Sequence, residues 1–151
     1  AVGEPVETGI PGLTHLFPTS EAVSDVADEA LAFPRSRRET LRRIAAALAD
    51  RQIDLGPGAD RAEARSRLLA LKGIGPWTVE LIAMRALGDP DAFPATDLGL
   101  IKASRRLGID GLPARAEAWR PWRSYATQHL WALTPHAANT IPGHPGCQEK
   151  K

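Results

Sequence analysis

The sequence predicts an all-α fold. Apolar residues recur at helical spacing along most of its length, with little strict alternation. Acidic start signals and glycine stops punctuate these runs. One Gly-x-Gly turn, Gly73-Ile74-Gly75, joins two of them. Pro76 follows it, where the first turn of a helix tolerates a missing N–H.

The elements follow in chain order. Residues 1–18 are rich in Gly and Pro and read as loop. Short helical pieces fall at 20–32. Ser36-x-x-Glu39 has the form of a capping box and opens a helix to about Asp50, with Leu41, Ile44, Ala45 and Leu48 on one face. Asp54-Leu55-Gly56-Pro57-Gly58 is a loop. Asp60-x-x-Glu63 starts a helix over about 60–71. At the turn, both glycines can take positive φ and let another backbone approach. Val79, Ile82, Ala83, Ala86 and Leu87 mark the next helix, which Gly88 stops. Asp89-Pro90-Asp91 is a turn, a helix runs from Asp97 to Leu107, and two more are expected at 113–120 and 121–133. Residues 1–141 read as one domain, and 142–151 as a disordered tail.

Composition narrows the classes of function. A chain of 151 residues supports one domain with a core. Its net charge of +1 gives no overall field for a polyanion, so any nucleic-acid affinity must be local. Arg35, Arg37, Arg38, Arg42 and Arg43 form one local cluster, which reads equally as a solvated helix start or as a phosphate-contacting patch. Cys147 is the sole cysteine, which excludes an internal disulfide and a four-cysteine iron–sulfur cluster. His15, His129, His136 and His144 show no metal-ligand spacing, so no metal ligands are assigned. No apolar run reaches membrane-spanning length, and a cytoplasmic protein with no membrane partner is expected. The chain does not open on Met, so residue 1 reads as a boundary rather than a native start.

Leu71-Lys72-Gly73-Ile74-Gly75-Pro76-Trp77-Thr78 resembles the helix-hairpin-helix motif of the DNA glycosylase superfamily. Asp91-Ala92-Phe93-Pro94-Ala95-Thr96-Asp97-Leu98-Gly99-Leu100 resembles the segment that carries the family's catalytic aspartate. Arg120-Pro121-Trp122-Arg123-Ser124-Tyr125-Ala126 with His129-Leu130-Trp131 resembles the C-terminal helix of the AlkA-type branch, DNA-3-methyladenine glycosylase II. The likeness spans about residues 3–135, and the three motifs in this order are far more specific than the hairpin alone. It implies the helix-hairpin-helix glycosylase fold without the N-terminal sheet domain and first helices, which in the family precede the point where this sequence begins. The residue that wedges into the duplex belongs to that earlier part. Trp122, Tyr125, Leu130 and Trp131 would then lose cover. Full burial of one such side chain is worth about 1.5–3 kcal/mol, which favours a preceding portion of a longer protein or a second copy as partner.

The resemblance implies a monofunctional glycosylase of base-excision repair in a bacterial, nucleoid-associated setting. It would hydrolyse the N-glycosidic bond of alkylated bases, such as 3-methyladenine and 7-methylguanine, in double-stranded DNA. Base release passes through an oxocarbenium-like state that a carboxylate can stabilise while it activates water. Asp97 is the candidate catalyst; alone it would read as a helix cap, and the hairpin upstream shifts the balance to catalysis. Bifunctional relatives place a Schiff-base lysine two residues after the second hairpin glycine, where this chain has Trp77. Trp77, Trp131 and Leu81 match positions that line the base pocket. An indole face attracts a cationic base by about 0.5–2 kcal/mol; core packing is the competing reading for both tryptophans, and Leu81 replaces a tyrosine of some relatives. Lys72, Gly73, Ile74, Gly75 and Thr78 are the expected DNA contacts. No cofactor is required, and a sodium or potassium ion at the hairpin is allowed. Two readings compete: a non-catalytic DNA-binding fragment, and a helical domain that docks a protein through its tryptophan row.

Overall fold

The computed structural model describes residues 3–133, and the tail expected at 142–151 lies outside them. The chain divides into two compact units between Val79 and Glu80. The described residues are helical, apart from one isolated antiparallel bridge between Pro5 and His15.

The described residues of the 1–18 segment form the expected loop, with that bridge inside it. Val6 N–H donates to Thr14 O (2.9 Å) and Leu16 N–H to Glu4 O (2.8 Å), so the Gly/Pro-rich start folds back on itself. The first unit continues with α1 (Ser20–Ser24), whose cap Thr19 accepts the amide of Ala22, and a 3₁₀ turn at Asp28–Ala30. α2 (Arg35–Ala49) packs on α1, and α3 (Arg61–Ala70) follows. Ala45, Ala47, Ile53, Ala64, Leu68, Ile74 and Val79 are its buried apolar residues, so α2 buries Ala45 and Ala47 while Leu41, Ile44 and Leu48 are half-buried.

The capping box expected at Ser36 is absent. Pro34 occupies the cap position with no side-chain bond, because its ring sets φ and the helix starts immediately after it. Glu39 instead pairs with Arg35 (3.0 Å) and Arg43 (3.4 Å). Asp60 does cap α3, accepting the amides of Ala62 (2.8 Å) and Glu63 (3.0 Å). Those two bonds hold its carboxyl below the usual aspartate range.

In the second unit, Phe93, Leu100, Ala103, Leu112, Ala116 and Leu130 form the core, with Ala95, Ile109, Trp119 and Trp131 packed against it. α5 is Leu98–Arg106, α6 is the short Leu112–Ala116 with a 3₁₀ turn behind it at Glu117–Trp119, and α7 is Arg123–Ala132. α4 (Pro76–Arg85) precedes them, so the division between the units falls inside it. Of the residues expected to lack cover, Trp122 and Tyr125 are exposed and stack edge-on with centroids 5.6 Å apart. Leu130 is buried and Trp131 half-buried, because both face α5 across the core rather than outward.

Candidate active site

The hairpin belongs to the first unit. Ile74 N–H donates to Leu71 O (3.0 Å), closing the turn, and Val79 N–H to Gly75 O (3.1 Å), opening α4. Gly73 sits at φ +98°, and a Cβ there would lie 2.1 Å from Thr40 Oγ1. The turn therefore fits against α2 only with glycine at that point. Gly75 differs from expectation: it has no positive φ, and a Cβ there would meet nothing within 4 Å. Neither backbone strain nor the fold's own packing calls for glycine at 75. Ile74 is buried, Lys72 is exposed, and Thr78 is half-buried in the first turn of α4. That first turn has no preceding helical carbonyls to receive its amides.

The arginine cluster resolves into separate roles. Arg42 donates to Val26 O (2.6 Å) and pairs with Asp28, and Arg38 donates to Asp28 O (2.9 Å). Asp28 is held below the usual aspartate range, chiefly by the Arg42 hydrogen bond. Arg43 donates to the hairpin carbonyl Lys72 O (3.2 Å). These three tie the chain together and are neither purely solvated nor a free phosphate patch. Arg43 already brings a positive charge to the hairpin, and Leu71 O is engaged by Ile74. A monovalent ion there would rest on the remaining neutral carbonyls of the turn, a donor type that suits such a cation.

Trp77 is 40% exposed in the first turn of α4. Leu81, half-buried, follows one helical turn later.

Asp97 caps α5 in the second unit, with its Oδ1 accepting the amide of Leu100 at 2.9 Å. The same oxygen accepts the indole N–H of Trp131 at 2.9 Å. Asp97 and Trp131, 34 residues apart, are thus brought together where α7 packs on α5.

The segment leading to Asp97 is held by residues that carried no assignment in the sequence. Glu80 Oε2 accepts the amide of Phe93 (2.8 Å). Ser124 Oγ donates to Asp89 O (2.6 Å) and lies 2.9 Å from Ala92 O, while its amide donates to Pro90 O (2.8 Å). Arg123 grips Asp91 with two bonds, Nε–Oδ1 at 2.7 Å and Nη2–Oδ2 at 2.8 Å. Arg120 also pairs with Asp91, and both arginines reach Glu117. The Arg123 hydrogen bond, more than any other influence, holds the Asp91 carboxyl below its usual range. The only trace of this clamp in the sequence is the Arg-Pro-Trp-Arg-Ser run.

A helical chain with a glycine hairpin ahead of a carboxylate-capped helix has the fold of the helix-hairpin-helix DNA glycosylases. The 3-methyladenine DNA-glycosylase from Archaeoglobus fulgidus superposes with a TM-score of 0.65 at 29% identity, over 86% of this chain and 47% of that one. No family model matches the chain. A Mycobacterium tuberculosis (strain H37Rv) protein described as a probable bifunctional transcriptional activator/DNA repair enzyme AlkA is 49% identical over 146 residues, covering 94% of this chain and 29% of the relative. DNA-3-methyladenine glycosylase 2 of Escherichia coli (strain K12) is 36% identical over 120 residues, 76% of this chain and 42% of the relative. The chain belongs to the AlkA-type DNA-3-methyladenine glycosylase family, and it spans less than half the length of these relatives.

Proposed function

We propose that the chain carries the base-releasing centre of a monofunctional DNA glycosylase that acts on alkylated bases in double-stranded DNA, in the bacterial cytoplasm at the nucleoid. The observation that carries the reading is the Asp97 carboxylate, placed at the start of α5 by bonds from two elements. A base such as 3-methyladenine or 7-methylguanine leaves with the electron pair of its glycosidic bond and so loses its positive charge. The sugar becomes an oxocarbenium ion, which Asp97 stabilises at short range. Asp97 then takes a proton from the water whose oxygen bonds to C1′, giving an abasic sugar and free base. On the family resemblance, Trp77 offers an indole face to the cationic base, Leu81 and Trp131 are base-pocket residues, and no amine stands at position 77 for a lyase step.

Strand binding falls to the hairpin. The open space on the Cβ side of Gly75 supports close approach by a DNA backbone, with Lys72, Gly73, Ile74 and Thr78 beside it. A sodium or potassium ion on the remaining hairpin carbonyls would strengthen that grip and takes no part in the chemical step. The test is release of methylated purines from alkylated duplex DNA, read by chromatography. Asp97→Asn is expected to abolish release and to keep DNA binding; release at the parental rate would refute the assignment.

A further inference from the structure

This inference rests on Asp97 being the catalytic carboxylate. We infer that Trp131 is the positioning residue for Asp97, holding its Oδ1 through the indole N–H, and that Gly99 is glycine because the carboxylate and the indole close over it.

A helix cap needs only the Leu100 amide, which lies in the same turn and accompanies α5 wherever the helix goes. The Trp131 bond is different in kind. It comes from α7, and it converges on the oxygen that the cap already uses. Two donors on one oxygen fix the rotation of the carboxyl plane and so the direction of Oδ2. An indole N–H on an ionised carboxylate is also a charge-assisted bond, stronger than a neutral one. The donor is itself held, because Trp131 packs against the core around Leu100, Phe93 and Leu130. That combination is what preorganised stabilisation of a developing cation requires.

Gly99 gives independent support. It lies inside α5, where glycine costs about 0.5–1 kcal/mol relative to alanine, and its φ is not positive. Backbone conformation therefore does not account for it. A Cβ at 99 would lie 2.9 Å from Asp97 Oδ1 and 3.3 Å from Trp131 Cδ1, inside ordinary contact with both partners of the bond. Any side chain at 99 would displace the carboxylate, the indole or both.

The test uses the full-length protein with Trp131→Phe, Gly99→Ala and Asp97→Asn. Trp131→Phe keeps an aromatic face for a base and removes the N–H. Single-turnover release of 7-methylguanine is measured beside the Kd for a duplex holding an abasic-site analogue. Both positioning variants are expected to lose about 10²-fold in rate constant, the scale of a small misplacement at a reacting centre, with Kd nearly unchanged. A residue that only stacks on the base would move substrate affinity instead. In parallel, the indole N–H resonance of Trp131 is followed by NMR through the acidic range. It should titrate in the parent protein and stay flat in Asp97→Asn, a readout that needs no activity. Parental rate constants in Trp131→Phe with Asp97→Asn inactive, or an indole resonance blind to Asp97→Asn, overturn the inference alone. A parental rate in Asp97→Asn overturns the proposed function as well.

Discussion

Asp97 carries two duties that ordinary substitutions separate. As a cap, its oxygen accepts the Leu100 amide, a service asparagine performs nearly as well as aspartate and alanine does not. Asp97→Ala is expected to lower the unfolding free energy by about 1 kcal/mol, and Asp97→Asn by much less, in urea titrations. Equal losses would mean that the cap contributes little. Gly73 presents a sharper case. Its φ of +98° and the 2.1 Å approach to Thr40 Oγ1 both oppose a side chain. Gly73→Ala is expected to destabilise by about 1–3 kcal/mol, and adding Thr40→Ala should restore only the part due to the clash. The residue types at these positions were legible in the sequence, but their partners were not. The helix boundary and the acidic cap are local, so Asp97 could be read from its neighbours. Thr40 against Gly73, and Trp131 on Asp97, are contacts across 33 and 34 residues that no spacing rule contains.

At the scale of elements, the chief determinant is the clamp between the segment before α5 and the start of α7. Its centre is Asp91, gripped twice by Arg123 and once more by Arg120. Arg123 and Asp91 are both largely shielded, with side chains 15% and 20% exposed, so the pair is less screened than a surface one. Asp91→Asn should cost about 1.5–3 kcal/mol at neutral pH, the worth of hydrogen bonds to a charged group. The folded carboxyl titrates below its unfolded value of about 3.9, chiefly because of Arg123. Its contribution is therefore complete above that value and is lost as pH falls through the lowered one. Unfolding curves of the parent and of Asp91→Asn should converge on acidification, and a constant gap down to strongly acidic pH would refute the assignment. Helices were readable from periodicity because each buries one face, and α2, α3, α5 and α7 fall within a few residues of their expected bounds. The capping box failed because Pro34 set the start of α2 before Ser36 could. The Pro5–His15 bridge was illegible because two backbone hydrogen bonds make it, and those leave no pattern in side chains.

For the molecule as a whole, large apolar side chains left in solvent bear on stability and association differently. Phe17 is 93% exposed and has little burial to lose, whereas Tyr125, 58% exposed, keeps its edge-on contact with Trp122. Phe17→Ser should leave the unfolding free energy within about 0.5 kcal/mol and Tyr125→Ser should cost about 0.5–1.5 kcal/mol, while both reduce any concentration-dependent association seen by sedimentation. A large loss of stability in Phe17→Ser would mean that this side chain is covered in solution. Charge gives the final expectation. A net charge of +1 cannot draw DNA by its overall field, and four of the five clustered arginines are spent on contacts within the chain. On the proposed reading, non-specific binding then rests on a small number of phosphate contacts near the hairpin, with exposed Lys72 among them. Each contact contributes about −0.9 to the slope of log K against log salt concentration. The parent slope should be shallow, and Lys72→Ala should make it shallower by roughly one such unit while weakening binding to all sequences alike. A slope unchanged by Lys72→Ala would remove this lysine from the interface and leave strand binding to the hairpin amides.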